Sequence, residues 1–134
     1  MIKFCLECGE VYDVGSSFDK SGNIEFCPKA SCYGEIIEVD DLMLPTIKIL
    51  NEKGYYTRYC CSGHYTQNGG DNCYIMFEDE VKFSSLPKGF KYDKGAIKNT
   101  IRRNFKSEDY ELFKEINLCA NELLEWAIGL EEVE

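Results

Sequence analysis

The 134-residue sequence predicts an α+β protein in which a small metal-stapled module precedes a compact α-β-β-α-α domain with a long C-terminal helix. Three observations carry this prediction. Two closely spaced cysteine pairs lie within the first 32 residues. Aromatic and β-branched runs bounded by glycines follow a helical stripe. Residues 107–134 then repeat apolar side chains every three or four positions. Hydrophobic residues make up 44% and charged residues 29% of the chain, which supports a packed core and argues against wholesale disorder.

The module is read from Cys5-Leu6-Glu7-Cys8-Gly9 and Cys27-Pro28-Lys29-Ala30-Ser31-Cys32-Tyr33-Gly34. Each pair can fold a tight turn whose backbone N–H groups point at thiolates, and two such turns make a four-sulfur cage that suits zinc. Gly9 and Gly34 stand where the chain leaves each turn, and glycine accepts the positive φ expected there. Val11-Tyr12, Ile24-Glu25-Phe26 and Ile36–Val39 read as short strands, with a turn at residues 19–23. Residues 1–39 therefore resemble a zinc ribbon with rubredoxin-like knuckles. Iron in the same cage and two disulfides are the alternatives. A module of this size cannot bury enough apolar surface to hold itself, and metal binding at about 10–16 kcal/mol supplies the difference. A cage with four protein ligands is closed to substrate, which points to a structural role for Cys5, Cys8, Cys27 and Cys32.

Residues 40–134 are expected to form the α+β domain. Asp40-Asp41 opens an amphipathic helix to about Lys53, with Pro45 near its first turn and Gly54 as its stop. Leu42, Ile47, Ile49 and Leu50 form its stripe. Tyr55–Cys60 and Cys73–Phe77 read as strands, with a further short strand near Phe90. Gly95 to Phe105 carries Ile97, Ile101 and Phe105 at helical spacing, so a helix is expected. Ser107 is expected to cap the last helix, which runs to about Ile128. Leu112, Ile116, Cys119, Ala120, Leu123, Ala127 and Leu130 form its buried face, with Cys119 as a small core residue.

The most informative stretch outside the module is Cys60-Cys61-Ser62-Gly63-His64, followed by Asn68-Gly69-Gly70-Asp71-Asn72-Cys73. It holds the only histidine of the chain. Three readings stay open. Cys61 and His64 bind a second metal, with Cys60 or Cys73 as a further ligand. Cys61 is a nucleophile or redox thiol with His64 as its base. The cysteines are buried strand residues and His64 ties down a loop. Cys60 and Cys61 point to opposite faces of a strand, so one of them serves any one site. The spacing expects Cys61 and His64 side by side at the rim of a pocket.

Pro45–Tyr55, Thr57, Cys60–His64 and Tyr74–Phe77 together resemble small uncharacterised bacterial and phage proteins that share a helix, a strand, a Cys-x-Gly-His turn and a second strand. The same residues, roughly 42–77, are weakly similar to the Ser-Cys-Ser-Gly-Arg signature of the tRNA wybutosine-synthesising methyltransferase family, in which that turn helps form a substrate or cofactor pocket. His64 stands where that family has arginine.

Charge is distributed unevenly. Residues 1–87 are net −7, residues 88–106 net +6 and residues 107–134 net −8, within a chain total of −9. The total disfavours bulk nucleic acid, whereas Lys98, Arg102 and Arg103 in the basic segment 88–106 offer an anionic patch reader for a nucleic-acid or acidic protein partner. Tyrosines 55, 56, 59, 65 and 74 add stacking faces. A solvated face neutralised by the acidic last helix is the alternative for the basic run. The apolar runs are too short to span a bilayer, and Met1–Phe4 leads straight into a cysteine motif, so a cytoplasmic protein with no membrane role is expected. The sequence holds no P-loop, dinucleotide fingerprint or zincin motif. The leading expectation is a zinc-stabilised intracellular binding protein, phage-related by the resemblance. A small enzyme or nucleotide-binding protein built on Cys61 and His64 is the alternative.

Overall fold

In a computed structural model, which describes residues 2–13, 25–64, 71–95 and 97–133, the N-terminal cysteine turns are carried on three short strands. These are β1 (Ile2–Cys5), β2 (Val11–Asp13) and β3 (Ile36–Val39), antiparallel in the order β2-β1-β3. Phe26 makes only a single bridge with Glu35, so the expected strand at 24–26 is not a ladder. Ile24 and the expected turn at 19–23 lie outside the described residues.

Asp40 starts the next helical segment as its sequence context requires. Its Oδ1 accepts from the Leu42 N–H at 3.2 Å. The first turn is a 3₁₀ turn over Asp41–Met43, and α1 follows over Leu44–Glu52. Met43, Ile47 and Leu50 are buried, while Leu42 is turned out to solvent, 42% exposed. The tighter 3₁₀ pitch rotates Met43 rather than Leu42 into the core. Gly54, at φ +95°, ends the segment.

The second sheet comprises β4 (Thr57–Cys61), β5 (Asn72–Phe77), β6 (Lys91–Tyr92) and β7 (Thr100–Asn104), antiparallel in the order β4-β5-β7-β6. The helix expected over 95–105 is therefore corrected to a strand, and the body reads α-β-β-β-β-α. Ile97, Ile101 and Phe105 are four residues apart, a spacing that fits a period of two as well as one of 3.6. Pairing with β5 decides between them, with Ile101 opposite Ile75 and Arg103 opposite Cys73. Ile97, at 59% exposure, lies outside the core altogether.

The last helix, α2, spans Asp109–Gly129. Its N-cap is Glu108, with no side-chain capping bond. Ser107, the expected cap, instead has its N–H donating to Glu115 Oε1 at 3.3 Å. Leu112, Ile116, Cys119, Ala120, Leu123 and Ala127 are buried against the sheet and α1, as the stripe requires, and Leu130 is half-buried. Trp126 packs edge-on against Phe83, with ring centroids 4.9 Å apart. Phe113 is exposed and stacks on Tyr110. Phe4 from β1 and Val39 from β3 join the same core cluster as these residues, so the module and the body share apolar packing.

The C-terminal end of α2 is held by a residue distant in sequence. Lys53 Nζ donates to the carbonyls of Ala127 at 3.1 Å and Ile128 at 2.6 Å, and also to that of Leu130. An ammonium placed on the last carbonyls satisfies acceptors that have no intrahelical donor and meets the negative end of the helix dipole. Replacing Lys53 by Met should cost about 1–2 kcal/mol in urea denaturation and speed amide exchange over the last turn of α2. An unchanged midpoint would show that the carbonyls are satisfied by water instead.

Candidate functional site

Four cysteine sulfurs converge where β1, the 27–34 turn and β3 meet. The Sγ atoms of Cys5, Cys8, Cys27 and Cys32 all lie within 4.8 Å of one another. Cys5 and Cys32 are 3.6 Å apart and Cys8 and Cys27 3.8 Å apart. Sulfurs bound tetrahedrally at about 2.3 Å from zinc stand about 3.8 Å apart, so the spacing fits a metal cage. It is also far longer than a disulfide bond of about 2.05 Å.

Local backbone geometry explains the convergence. The amides of Cys8 and Glu7 donate to the Cys5 sulfur, that of Lys29 to Cys27 and that of Gly34 to Cys32. Gly9 takes φ +76°, as expected, but Gly34 does not carry the positive φ of the second turn; Ser31 and Tyr33 do, at φ +66° and +53°. Gly34 is required for close approach, since a Cβ there would stand 2.8 Å from the Cys5 sulfur and 2.6 Å from the Glu7 side chain. Tyr12, unremarked among the strand residues of the sequence, places its hydroxyl 3.3 Å from the Cys27 sulfur. Burial pushes the Cys27 thiol up, but hydrogen bonds from Tyr12 and from the Lys29 amide carry it down to about 7. Burial raises Cys5 to about 12. A cation at the centre would reverse such burial costs, because coordinated thiols are deprotonated.

The second cluster is on the outer face of the four-stranded sheet. Cys61, Tyr74 and Arg102 face one another across β4, β5 and β7. Cys60 is opposite Ile75 on the other face, so the two adjacent cysteines do part. Cys60 is pushed up to about 11 by burial, although the Asp40 amide donates to it. Cys73 lies in the core, where the adjacent Cys119 thiol and burial push it up. Neither Cys60 nor Cys73 thus stands beside Cys61 on the outer face.

His64 does. Its Nδ1 is 3.8 Å from Cys61 Sγ and 3.4 Å from Asp71 Oδ2. The turn between them is set by Gly63, at φ +101°, whose N–H donates to Cys61 Sγ at 3.4 Å. A Cβ on Gly63 would stand 2.6 Å from the Phe105 ring, so no other residue makes this turn without displacing the core. Asp71 is fixed by the Phe105 N–H donating to its carbonyl at 3.0 Å, and its Oδ2 accepts from the His64 backbone N–H. Burial raises the Cys61 thiol, and the nearby Asp40 and Asp71 carboxylates add to the rise while the Gly63 amide and Arg102 oppose it. The sequence reads Asp40 only as a helix cap and Asp71 only as a loop residue, and nothing in their neighbours points to a place beside Cys61. Residues 68–70 of the expected glycine-rich loop, and Tyr65, lie outside the described residues.

Arg102 and Arg103 diverge. Arg102, on the outer face, donates to Asp93 at 2.9 Å and to Asn72 Oδ1 at 2.6 Å, and its guanidinium lies 4.8 Å from the Tyr74 ring centre. Arg103, on the inner face, is paired with Glu115 at 3.5 Å and Glu122 at 3.6 Å on α2. Lys98 is exposed, 5.9 Å from the Tyr92 ring centre. No helix among the described residues is long and apolar enough to cross a membrane.

A cleft runs alongside the junction of the two sheets. β3 and β4 are each the last strand of their sheet, and alongside them lies a space of about 370 Å³ lined by Glu35, Glu38, Arg58, Tyr59, Cys60 and Glu78, among others. Comparison with protein-family models, with curated proteins and with solved structures gives no match.

Proposed function

We propose that this chain is a zinc-stabilised binding protein that docks an extended, basic segment of a protein partner in the acidic cleft alongside β3 and β4. The cage chemistry supports zinc: four thiolates at tetrahedral spacing, each of three sulfurs already served by backbone amides, leave no position for substrate. The observation that carries the binding role is the cleft. β3 and β4 approach each other along it, and the acids Glu35, Glu38 and Glu78 outnumber Arg58 in its lining. A basic segment docked there gains affinity and selectivity from charge complementarity. An octapeptide of alternating lysine and valine is the probe. It should shift the amide resonances of β3 and β4, and Glu38→Lys combined with Glu78→Lys should weaken binding by roughly tenfold or more at low salt. Shifts confined to other surfaces, or indifference to the double change, would rule the cleft out.

A second reading rests on the 3.8 Å separation of Cys61 Sγ and His64 Nδ1, which suits a small enzyme or nucleotide-binding protein. The raised thiol weighs against a nucleophile, since the thiolate is the reactive form. An anionic partner on the basic segment 88–106 would rely on its lysines, because Arg102 and Arg103 are engaged with carboxylates.

A further inference from the structure

We infer that Tyr12 is a positioning residue for the cage metal: its hydroxyl donates to the coordinated Cys27 thiolate and sets how tightly the ion is held. This rests on the cage reading and is independent of the cleft. It gives β2, a strand of three residues that brings no cysteine to the cage, a part in retaining the metal.

The first line of argument is placement. Tyr12 is buried, while its neighbour Val11 is 37% exposed. Tyr12 pairs with Lys3, and the Cys5 N–H donates to the Glu10 carbonyl at 2.9 Å, continuing the ladder beyond β2. Strand alternation then puts Lys3, Cys5 and Tyr12 on one face of the three-stranded sheet. Ile36, opposite Cys5 on β3, shares that face. Cys5, Tyr12 and Cys27 form one buried cluster, with Cys32 and Ile36 packed against it. From there the Tyr12 hydroxyl reaches the Cys27 sulfur at 3.3 Å, fifteen residues along the chain, with both groups buried.

The second line is chemistry. A coordinated sulfur has lost its proton, so the phenol is the donor and the thiolate the acceptor. An O–H aimed at a charged acceptor makes about twice as strong a bond as one between neutral groups. Four thiolates around a dication leave the cage net negative, and Cys5 and Cys27 are shut off from water. Fixed donors must take the place of that water. Backbone amides serve Cys5, Cys27 and Cys32, and Tyr12 adds a side-chain donor at Cys27. When the ion leaves, the module loses what holds it together, and the hydroxyl loses its place over the sulfur. The bond therefore contributes to retention of the metal as well as to the fold.

The test compares wild type with Tyr12→Phe in the full chain, a change that removes the oxygen and keeps the ring. Zinc affinity is read by competition with a chromophoric chelator, and the state of the sulfurs by cobalt- and iron-loaded forms. Tyr12→Phe should still bind zinc, but about 10–100-fold more weakly, the usual effect of losing a partner of a metal ligand. Its sulfur-to-cobalt absorption should move to lower energy, because a sulfur freed of a donor gives up electron density more readily. For the same reason the potential of the iron-loaded protein should fall. A ring that merely packs would move neither signature when its oxygen goes. An affinity equal to that of wild type, or an unshifted absorption and potential, would overturn the inference. Should Tyr12→Phe fail to fold, wild type loaded with a magnetic cadmium isotope decides by NMR. Scalar coupling between the Tyr12 hydroxyl proton and the metal, carried through Cys27, supports the bond, and a hydroxyl proton in free exchange with water overturns it. Wild type that takes up no metal defeats the cage reading and this inference with it, whereas a Tyr12→Phe protein that behaves as wild type defeats this inference alone.

Discussion

Removing the metal should unfold more than the residues that hold it. Cys8 is the exposed member of the cage, so Cys8→Ser deletes a ligand without leaving a cavity in the core. The apparent binding energy of a structural zinc is about 10–16 kcal/mol, far beyond what three strands of three or four residues could replace. Loss of the cage should therefore release β1, β2 and β3. Phe4 and Val39 are 2% and 0% exposed, and both belong to the core cluster that contains Ile47, Ile75 and Leu123. Their departure opens that core as truncating a buried phenylalanine does, which costs about 3–5 kcal/mol. The expected result, by amide NMR and urea denaturation, is loss of amide protection over β1, β2 and β3 and a lower midpoint for the remainder. Metal ligation also requires deprotonated thiols, so acidification should release the ion and destabilise the protein in the same direction as chelation. Purified protein without metal whose β1–β3 amides remain protected would disprove the cage.

Arg103→Glu should be the most damaging single change in the basic segment. Arg103 is the inner-face partner of Cys73 across β5 and β7, with its side chain only 12% exposed. Glu115 and Glu122 on α2 approach it at 3.5 and 3.6 Å, with side chains 20% and 23% exposed. It also donates to the Lys88 carbonyl at 3.3 Å. Reversing its charge would leave three carboxylates facing one another beneath α2. Breaking such a secluded pair costs about 3–5 kcal/mol, a large share of the about 5–15 kcal/mol that stabilises a domain. Adding Glu115→Arg to Arg103→Glu should recover part of the loss, which a double-mutant cycle would measure. Arg102→Glu should cost less, about 1 kcal/mol, because the Arg102 and Asp93 side chains are 33% and 38% exposed. Equal, small losses at both positions would mean that Arg103 is solvated and that the 88–106 run is one continuous surface.

The contrast between these arginines shows what chain pattern conveys. A helix over 95–105 with Ile97, Ile101 and Phe105 buried would leave both arginines off that stripe, open together to an anionic partner. As strand β7, the same residues send Arg102 to the outer face and Arg103 to the inner one. Spacings of four residues are ambiguous between helix and strand, and only the pairing of β7 with β5 resolves them.

Local features follow from the order of residues alone. The spacing of Cys5, Cys8, Cys27 and Cys32 dictates two knuckles, because tight turns with amides aimed at sulfur are short-range constructions. Asp40 caps its helical turn, α2 follows its apolar stripe, and Cys60 and Cys61 part to opposite faces for equally local reasons. Tertiary structure alone decided contacts across strands and between distant segments. Lys53 reaches carbonyls more than seventy residues away, Asp71 meets His64 only because β5 returns beside β4, and Gly34 is needed only because Cys5 and Glu7 pack against it. A lysine, an aspartate or a glycine has no periodicity of its own, so nothing in its neighbours announces such a role. The physical reason is that caps, stripes and knuckles are specified within one turn or one strand, whereas a site assembled across strands depends on register, which the whole sheet sets.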